Sequence, residues 1–213
     1  MTNEETIGKL TEMRMTAMAN AFREQIRNPA MTNLSFEERF GLLTDIEWSS
    51  RKNNKLKKLI KNAQFDQPNA HVGDINYTVE RKLDRSQILS LASCDFIQNK
   101  QNVVMIGNPG TGKTHLSIAL GLKACMQGLN VKFYTAANLS NELIEALDGH
   151  RLLKLEKQIA GCDLLIIDEM SYLTFNRHQS ELLFKVIADR SERKSIIVST
   201  NLAFSEWLTM FEN

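Results

Sequence analysis

The residues best suited to chemistry in this sequence fall in three short clusters, each at the end of an apolar run. Residues 107–114 read GNPGTGKT, directly after VVMI and directly before the helical pattern THLSIALGLKACMQ. The spacing G-x-x-x-x-G-K-[ST] is that of a phosphate-binding loop, and the strand-then-helix context is the one the motif requires. Gly107, Gly110 and Gly112 let the main chain curl so that its N–H groups face phosphate oxygens with no Cβ in the way. Asn108, Pro109, Thr111 and His115 complete the segment that would wrap a nucleotide, and the helix N-terminus adds unpaired N–H groups and a positive dipole end. Lys113 is placed to reach the β- and γ-phosphates of ATP, and the Thr114 hydroxyl to coordinate Mg²⁺.

The second cluster closes LLIIDE at 164–169. Two carboxylates at the end of a buried strand cost free energy unless something pairs with them. A divalent cation on a triphosphate is such a partner. Asp168 would then hold the Mg²⁺ shell with Thr114, and Glu169 would orient or deprotonate an attacking water. The third cluster is STN at 199–201, again after a strand-like run. Asn201 is placed to sense the γ-phosphate, although asparagine is also a common turn residue. Catalytic roles therefore fall to Lys113, Glu169 and Asn201.

Other chemistries find no support. His71, His150 and His178 have no partners at metal-ligand spacing, and no serine sits in a G-x-S-x-G elbow. Cys94, Cys125 and Cys162 form neither a C-x-x-C pair nor a zinc pattern, and read as reduced thiols packed as small hydrophobes.

A different kind of phosphate contact is suggested by RKNNKLKKLIK at 51–61, with six Lys/Arg and no acid. Leu56, Leu59, Ile60 and Ala63 share one helical face, while Arg51, Lys55, Lys57, Lys58 and Lys61 spread over the opposite one. This face is either a solvated helix surface or a DNA-backbone footprint without base readout. Contact by all six cations predicts a log–log salt slope of about −5.

The elements that must position these residues change in texture along the chain. Apolar positions at helical spacing run through residues 4–27 and predict one helix, ended by Asn28-Pro29. Ser35 with Glu38 forms a capping box for a helix from Phe36 to Trp48, with continuation through Arg51–Ala63 open. The polar stretch Gln64–Gly73 reads as a linker or hinge. From about residue 100, strand-like runs (Val103–Ile106, Val131–Tyr134, Leu164–Ile167, Ile196–Val198) alternate with helical segments near Lys113–Gln127, Ala137–Leu147, Arg151–Ala160 and Gln179–Arg190. That alternation predicts an α/β fold, a parallel sheet covered by helices, preceded by a small all-α module. The expected division is a helical module at 1–66, a linker with a lead-in helix at 67–100, and a P-loop core at 101–213. With 213 residues, 43% hydrophobic and 24% charged, the composition suits a soluble protein that needs no staples. A net charge of +1 gives no global field for nucleic acid. The acidic, polar N-terminus and the lack of a long apolar run predict a cytoplasmic protein without signal peptide or membrane span.

The sequence resembles the IstB-like helper ATPases of bacterial insertion sequences, relatives of DnaC-type helicase loaders in the AAA+ class. The resemblance rests on KL-x-x-M-R-M-x-x-M near the start, SFEERFGLL at 35–43, DINYTVERKLDRSQI at 74–88, GNPGTGKTHLSIALG at 107–121, LLIIDEMSYL at 164–173, ELLFKVIADR at 181–190 and STNLAFSEW at 199–207. It implies an AAA+ sheet, ATP-dependent homo-oligomeric assembly on DNA without sequence preference, and recruitment or stimulation of a transposase. The related reading is a loader acting on a replicative helicase. A small-molecule kinase would need neither Glu169 nor the helical first module. The resemblance stops at Trp207–Phe211, before a further strand and an arginine that acts in trans in the family. On that basis the chain is expected to bind ATP but hydrolyse it slowly, to leave Val103–Ile106 at a sheet edge prone to self-association, or to serve as a non-catalytic remnant. Arg190 and Arg193 are the remaining candidates for a cationic role.

Overall fold

The computed structural model describes residues 2–78, 83–170, 175–203 and 206–207. The chain divides into two compact units, Met1–Lys57 and Lys58–Asn213.

In the first unit, α1 (Asn3–Glu12) and α2 (Thr16–Arg27) replace the single helix expected over 4–27. The chain breaks at Met13–Met15, where Arg14 takes a left-handed φ of 59°. The apolar period continues across the break, so periodicity alone could not reveal it. No side chain of its own N-cap satisfies the start of α2. Instead the buried Glu47 accepts a hydrogen bond from Met18 N–H (3.0 Å) and pairs with Arg51 Nε (2.7 Å). Burial opposes ionisation of Glu47, but Arg51 and the main-chain donors outweigh it and hold the carboxyl below its usual range. Helix α3 is continuous over Phe36–Ala63. It opens with the predicted capping box, Glu38 N–H donating to Ser35 Oγ (3.2 Å) and Ser35 N–H to Glu38 Oε2 (2.7 Å).

The second unit takes up the last residues of α3 and continues through α4 (Arg85–Ala92) and α5 (Asp95–Gln98) into the sheet. Strands β1 (Val103–Ile106), β2 (Val131–Thr135), β3 (Leu164–Asp168) and β4 (Ser195–Thr200) form a parallel sheet in the order β1-β4-β3-β2. The central strands β3 and β4 are buried along their whole length, as their Leu/Ile/Val runs dictate. Among the described residues β1 pairs only with β4, and Val104 and Ile106 are 44% and 53% exposed. Helix α6 (Lys113–Met126) packs on one face of the sheet and is apolar nearly all round. On the other face α7 (Ala136–Asp148), α8 (Leu152–Gly161) and α9 (Arg177–Arg190) bury Leu139, Leu143, Ile159 and Leu183 against Leu165, Ile167, Ile196 and Val198.

The polar stretch read as a linker is anchored: Phe65 and Ala70 within it are buried. A Cβ on Gly121 would lie 2.8 Å from Phe65 Cε1 and 2.8 Å from Ile166 Cδ1, so glycine lets the Phe65 ring press onto α6.

Candidate nucleotide-binding site

Parallel strands deliver their following loops to one edge of the sheet, where ligands of such folds bind. Here the carboxyl ends of β1, β3 and β4 meet. The loop after β1 curls through Gly110 (φ 74°) and Gly112 (φ 93°), conformations that favour glycine. Gly107 N–H donates to Thr200 O (3.2 Å), fastening the loop to the end of β4. Gly112 is the N-cap of α6, and no side chain caps that helix. By contrast Thr135 caps α7 and Asn176 caps α9. The first N–H groups of α6 are thus left for an anion.

The predicted site residues come together. Lys113 Nζ donates to Gly107 O (2.7 Å), Asn108 O (2.9 Å) and Asn201 Oδ1 (2.8 Å). Burial lowers the pKa of its ammonium, while Asp168 and Glu169 pull it back up. Thr114 Oγ1 donates to Asp168 Oδ2 (2.7 Å), joining the two proposed metal ligands directly. Asp168 is only 2% exposed, whereas Glu169 is exposed with a left-handed φ of 56°. Thr111 Oγ1 closes the loop on Asn108 O (2.8 Å). Asn108, Pro109 and Gly110 are exposed at its tip. His115 Nε2 lies 3.4 Å from His71 O and lines an adjoining cleft of about 500 Å³ with Asn76, Gln87, Ile88 and the edge of β1.

A hydroxyl and a buried carboxylate are hard oxygen donors that fit Mg²⁺, which takes few protein ligands and completes its shell with phosphate and water. Among the described residues there is no cluster of three or more His, Cys, Asp or Glu that could hold a metal.

Two residues that the sequence reading passed over belong to the site. Ser199 hydrogen-bonds Asp168 and Glu169, and Thr200 Oγ1 donates to Met170 O. The signal was present in the run Ser-Thr-Asn, three side-chain hydrogen-bonding residues ending a buried strand. Arg190 is not available for a cationic role at the phosphates. It is 2% exposed, and its guanidinium binds the carbonyls of Ile159 (2.6 Å), Cys162 (3.2 Å) and Ser195 (3.0 Å). Arg193 is exposed. The three cysteines are free and buried, and burial pushes Cys125 up to about 12.

On the basic helix, Lys55, Lys57, Lys58 and Lys61 are exposed, and Arg51 is committed to Glu47. Among the described residues no helix is long and apolar enough to cross a membrane.

A four-stranded parallel sheet with a glycine loop after β1, a buried aspartate ending β3 and an asparagine just after β4 defines a P-loop α/β fold. The fold is shared with a solved DnaC helicase loader (TM-score 0.52, 22% identity, covering 66% of this chain and 83% of that one). A solved DNA replication initiation factor also shares it (TM-score 0.53, 19% identity, 68% and 47%). The chain belongs to the family of IstB-like ATP binding proteins, whose model matches residues 8–213. It is similar to the insertion sequence IS1162 ATP-binding protein of Pseudomonas fluorescens, with 33% identity over 96% of this chain and 89% of the relative. The IS21 protein of Pseudomonas aeruginosa is 30% identical over 95% of this chain and 76% of its own length.

Proposed function

We propose that this chain binds ATP with Mg²⁺ and serves as the ATP-dependent helper of an insertion element, assembling on DNA and recruiting or stimulating a transposase. The observation that carries the reading is the pair of direct links across the site, Lys113 to Asn201 (2.8 Å) and Thr114 to Asp168 (2.7 Å). They bring the groups that grip a triphosphate against those that hold its metal. The insertion-sequence relatives named above support the cellular role.

In this reading the N–H groups of the loop and of α6 bind the β-phosphate, and Lys113 leaves its carbonyl partners to span the β- and γ-phosphates. Thr114 and Asp168 would hold Mg²⁺, which would supply charge neutralisation at the phosphates. Glu169 orients the attacking water and accepts its proton as ATP and water become ADP and phosphate. Asn201 exchanges Lys113 for the γ-phosphate and so reports nucleotide state. The adjoining cleft accommodates base and ribose. Lys55, Lys57, Lys58 and Lys61 contact DNA phosphates, and nucleotide-bound copies associate on the duplex. The protein works in the cytoplasm.

Calorimetry with ATP and Mg²⁺ is expected to give one binding event per chain, and retention of duplex DNA is expected to rise with ATP. No heat of association on folded protein overturns the nucleotide reading. Capture of a replicative helicase instead of a transposase overturns the transposition reading alone.

A further inference from the structure

Ser199, the penultimate residue of β4, has 1% of its surface exposed, and its single hydroxyl serves two neighbours. It donates to Asp168 Oδ1 and accepts from the main-chain N–H of Glu169 (3.1 Å). The Ser199 carbonyl accepts from Met170 N–H (2.8 Å), and the Thr200 hydroxyl donates to Met170 O while accepting from Leu202 N–H (3.0 Å). Three consecutive residues leaving β3 are thus stitched to the end of β4.

Other buried serines in the core behave differently. Ser195 donates to Phe96 O (3.1 Å) and Ser140 to Ala137 O (2.9 Å), ordinary main-chain satisfaction. Ser199 instead addresses a carboxylate of the site and the turn that follows it. With Oδ1 committed to Ser199, the Asp168 carboxylate cannot rotate, and Oδ2 stays directed at Thr114 (2.7 Å). With its N–H held, Glu169 keeps a left-handed φ of 56°, which a non-glycine residue retains only when its surroundings enforce it.

We infer that Ser199 is the positioning residue of the metal–nucleotide site: its hydroxyl orients Asp168 towards the cation and fixes the turn that directs Glu169. The inference rests on the Mg²⁺–ATP reading above. Ser199 is buried behind Asp168 and bonded to Asp168 and Glu169, so its effect must pass through those two residues. Supports one step behind a metal ligand typically change metal affinity or activity about 10–100-fold when removed.

The test compares wild type with Ser199→Ala, Ser199→Cys and Ser199→Thr, using a fluorescent non-hydrolysable ATP analogue with Mg²⁺ or with EDTA. The ratio of the two affinities measures how strongly metal supports nucleotide binding. In Ser199→Ala that ratio falls about tenfold, while affinity in EDTA and the melting profile change little. Ser199→Cys fills the volume with a poor donor and acceptor and follows alanine. Ser199→Thr keeps the hydroxyl and recovers the ratio to within about threefold of wild type. A ratio unchanged in the alanine variant overturns the inference, as does a threonine variant that is folded yet as impaired as alanine. Loss of folding in all three makes the hydroxyl a folding element and also overturns it. A wild type that binds the analogue equally well with and without Mg²⁺ does the same. A wild type that binds no nucleotide under either condition defeats the parent reading instead.

Discussion

At the start of α6 one ammonium, that of Lys113, makes three hydrogen bonds to named oxygens within 2.9 Å. Along α3 the ammonium groups of Lys55, Lys57, Lys58 and Lys61 stand exposed. In the proposed function both regions meet phosphate, but in different ways. The first is a fixed constellation in which a glycine loop, an uncapped helix start and a lysine converge on one small volume. The second is a flexible comb of charges on long stems, suited to a polyanion that repeats its charge along a line. On that proposal, geometry would supply selectivity at α6, and charge density would supply affinity on α3.

That contrast breaks most visibly in the chemistry. Replacing Glu169 by Gln should leave nucleotide affinity intact and lower turnover about 10²–10⁴-fold, measured as phosphate release. Equal loss of binding would mean that Glu169 holds the nucleotide rather than activating water. Next in size, Lys113→Ala should cost about 2–5 kcal/mol of ATP affinity by calorimetry, leaving DNA retention without nucleotide unchanged. Alanine at Lys55, Lys57, Lys58 and Lys61 together should do the reverse. The salt slope of DNA binding is expected to flatten from about −4 towards zero with ATP affinity untouched. Unchanged slopes would assign those lysines to solvent. The smallest effect concerns Glu47, which withdraws Arg51 from the comb (2.7 Å). Glu47→Ala should destabilise the first unit by about 1 kcal/mol, the size of a lost helix cap, and steepen the salt slope by about one as Arg51 is freed. Because the Glu47 carboxyl is held below its usual range, its stabilising contribution is complete above the ordinary glutamate pKa of about 4.3. It is lost as pH falls through the lowered native value. Thermal melts of wild type and Glu47→Ala should therefore converge on acidification.

Much of the second unit was readable because its signals are local. Val103–Ile106 is strand β1 as predicted, and the other three strands extend their predicted runs by one to three residues. The helix expected from Gln179 begins at Arg177, since Asn176 rather than a later residue caps it and Gln179 closes the capping box. Lys113, Thr114, Asp168 and Asn201 meet because parallel strands bring their ends to one edge. What could not be read depends on distant partners. The break at Met13–Met15 has no glycine or proline to mark it, and the start of α2 is satisfied by Glu47, 29 residues away. Ser199 bridges two strands by a hydroxyl that looks like any other serine in a buried run. Phe65 sits in a stretch polar enough to read as linker, and its destination lies on α6.

The notch at Gly121 bears on how steadily the phosphate end of α6 is kept. Lys113 and Gly121 are eight positions apart on that helix, roughly 12 Å along its axis. A rod clamped only where it grips its cargo would be free to rock about that point. The Phe65 ring, seated where a methyl group would stand 2.8 Å away, works as a thumb on the shaft behind the grip. An aromatic side chain from outside the glycine loop thus helps decide how still that loop's amides stand.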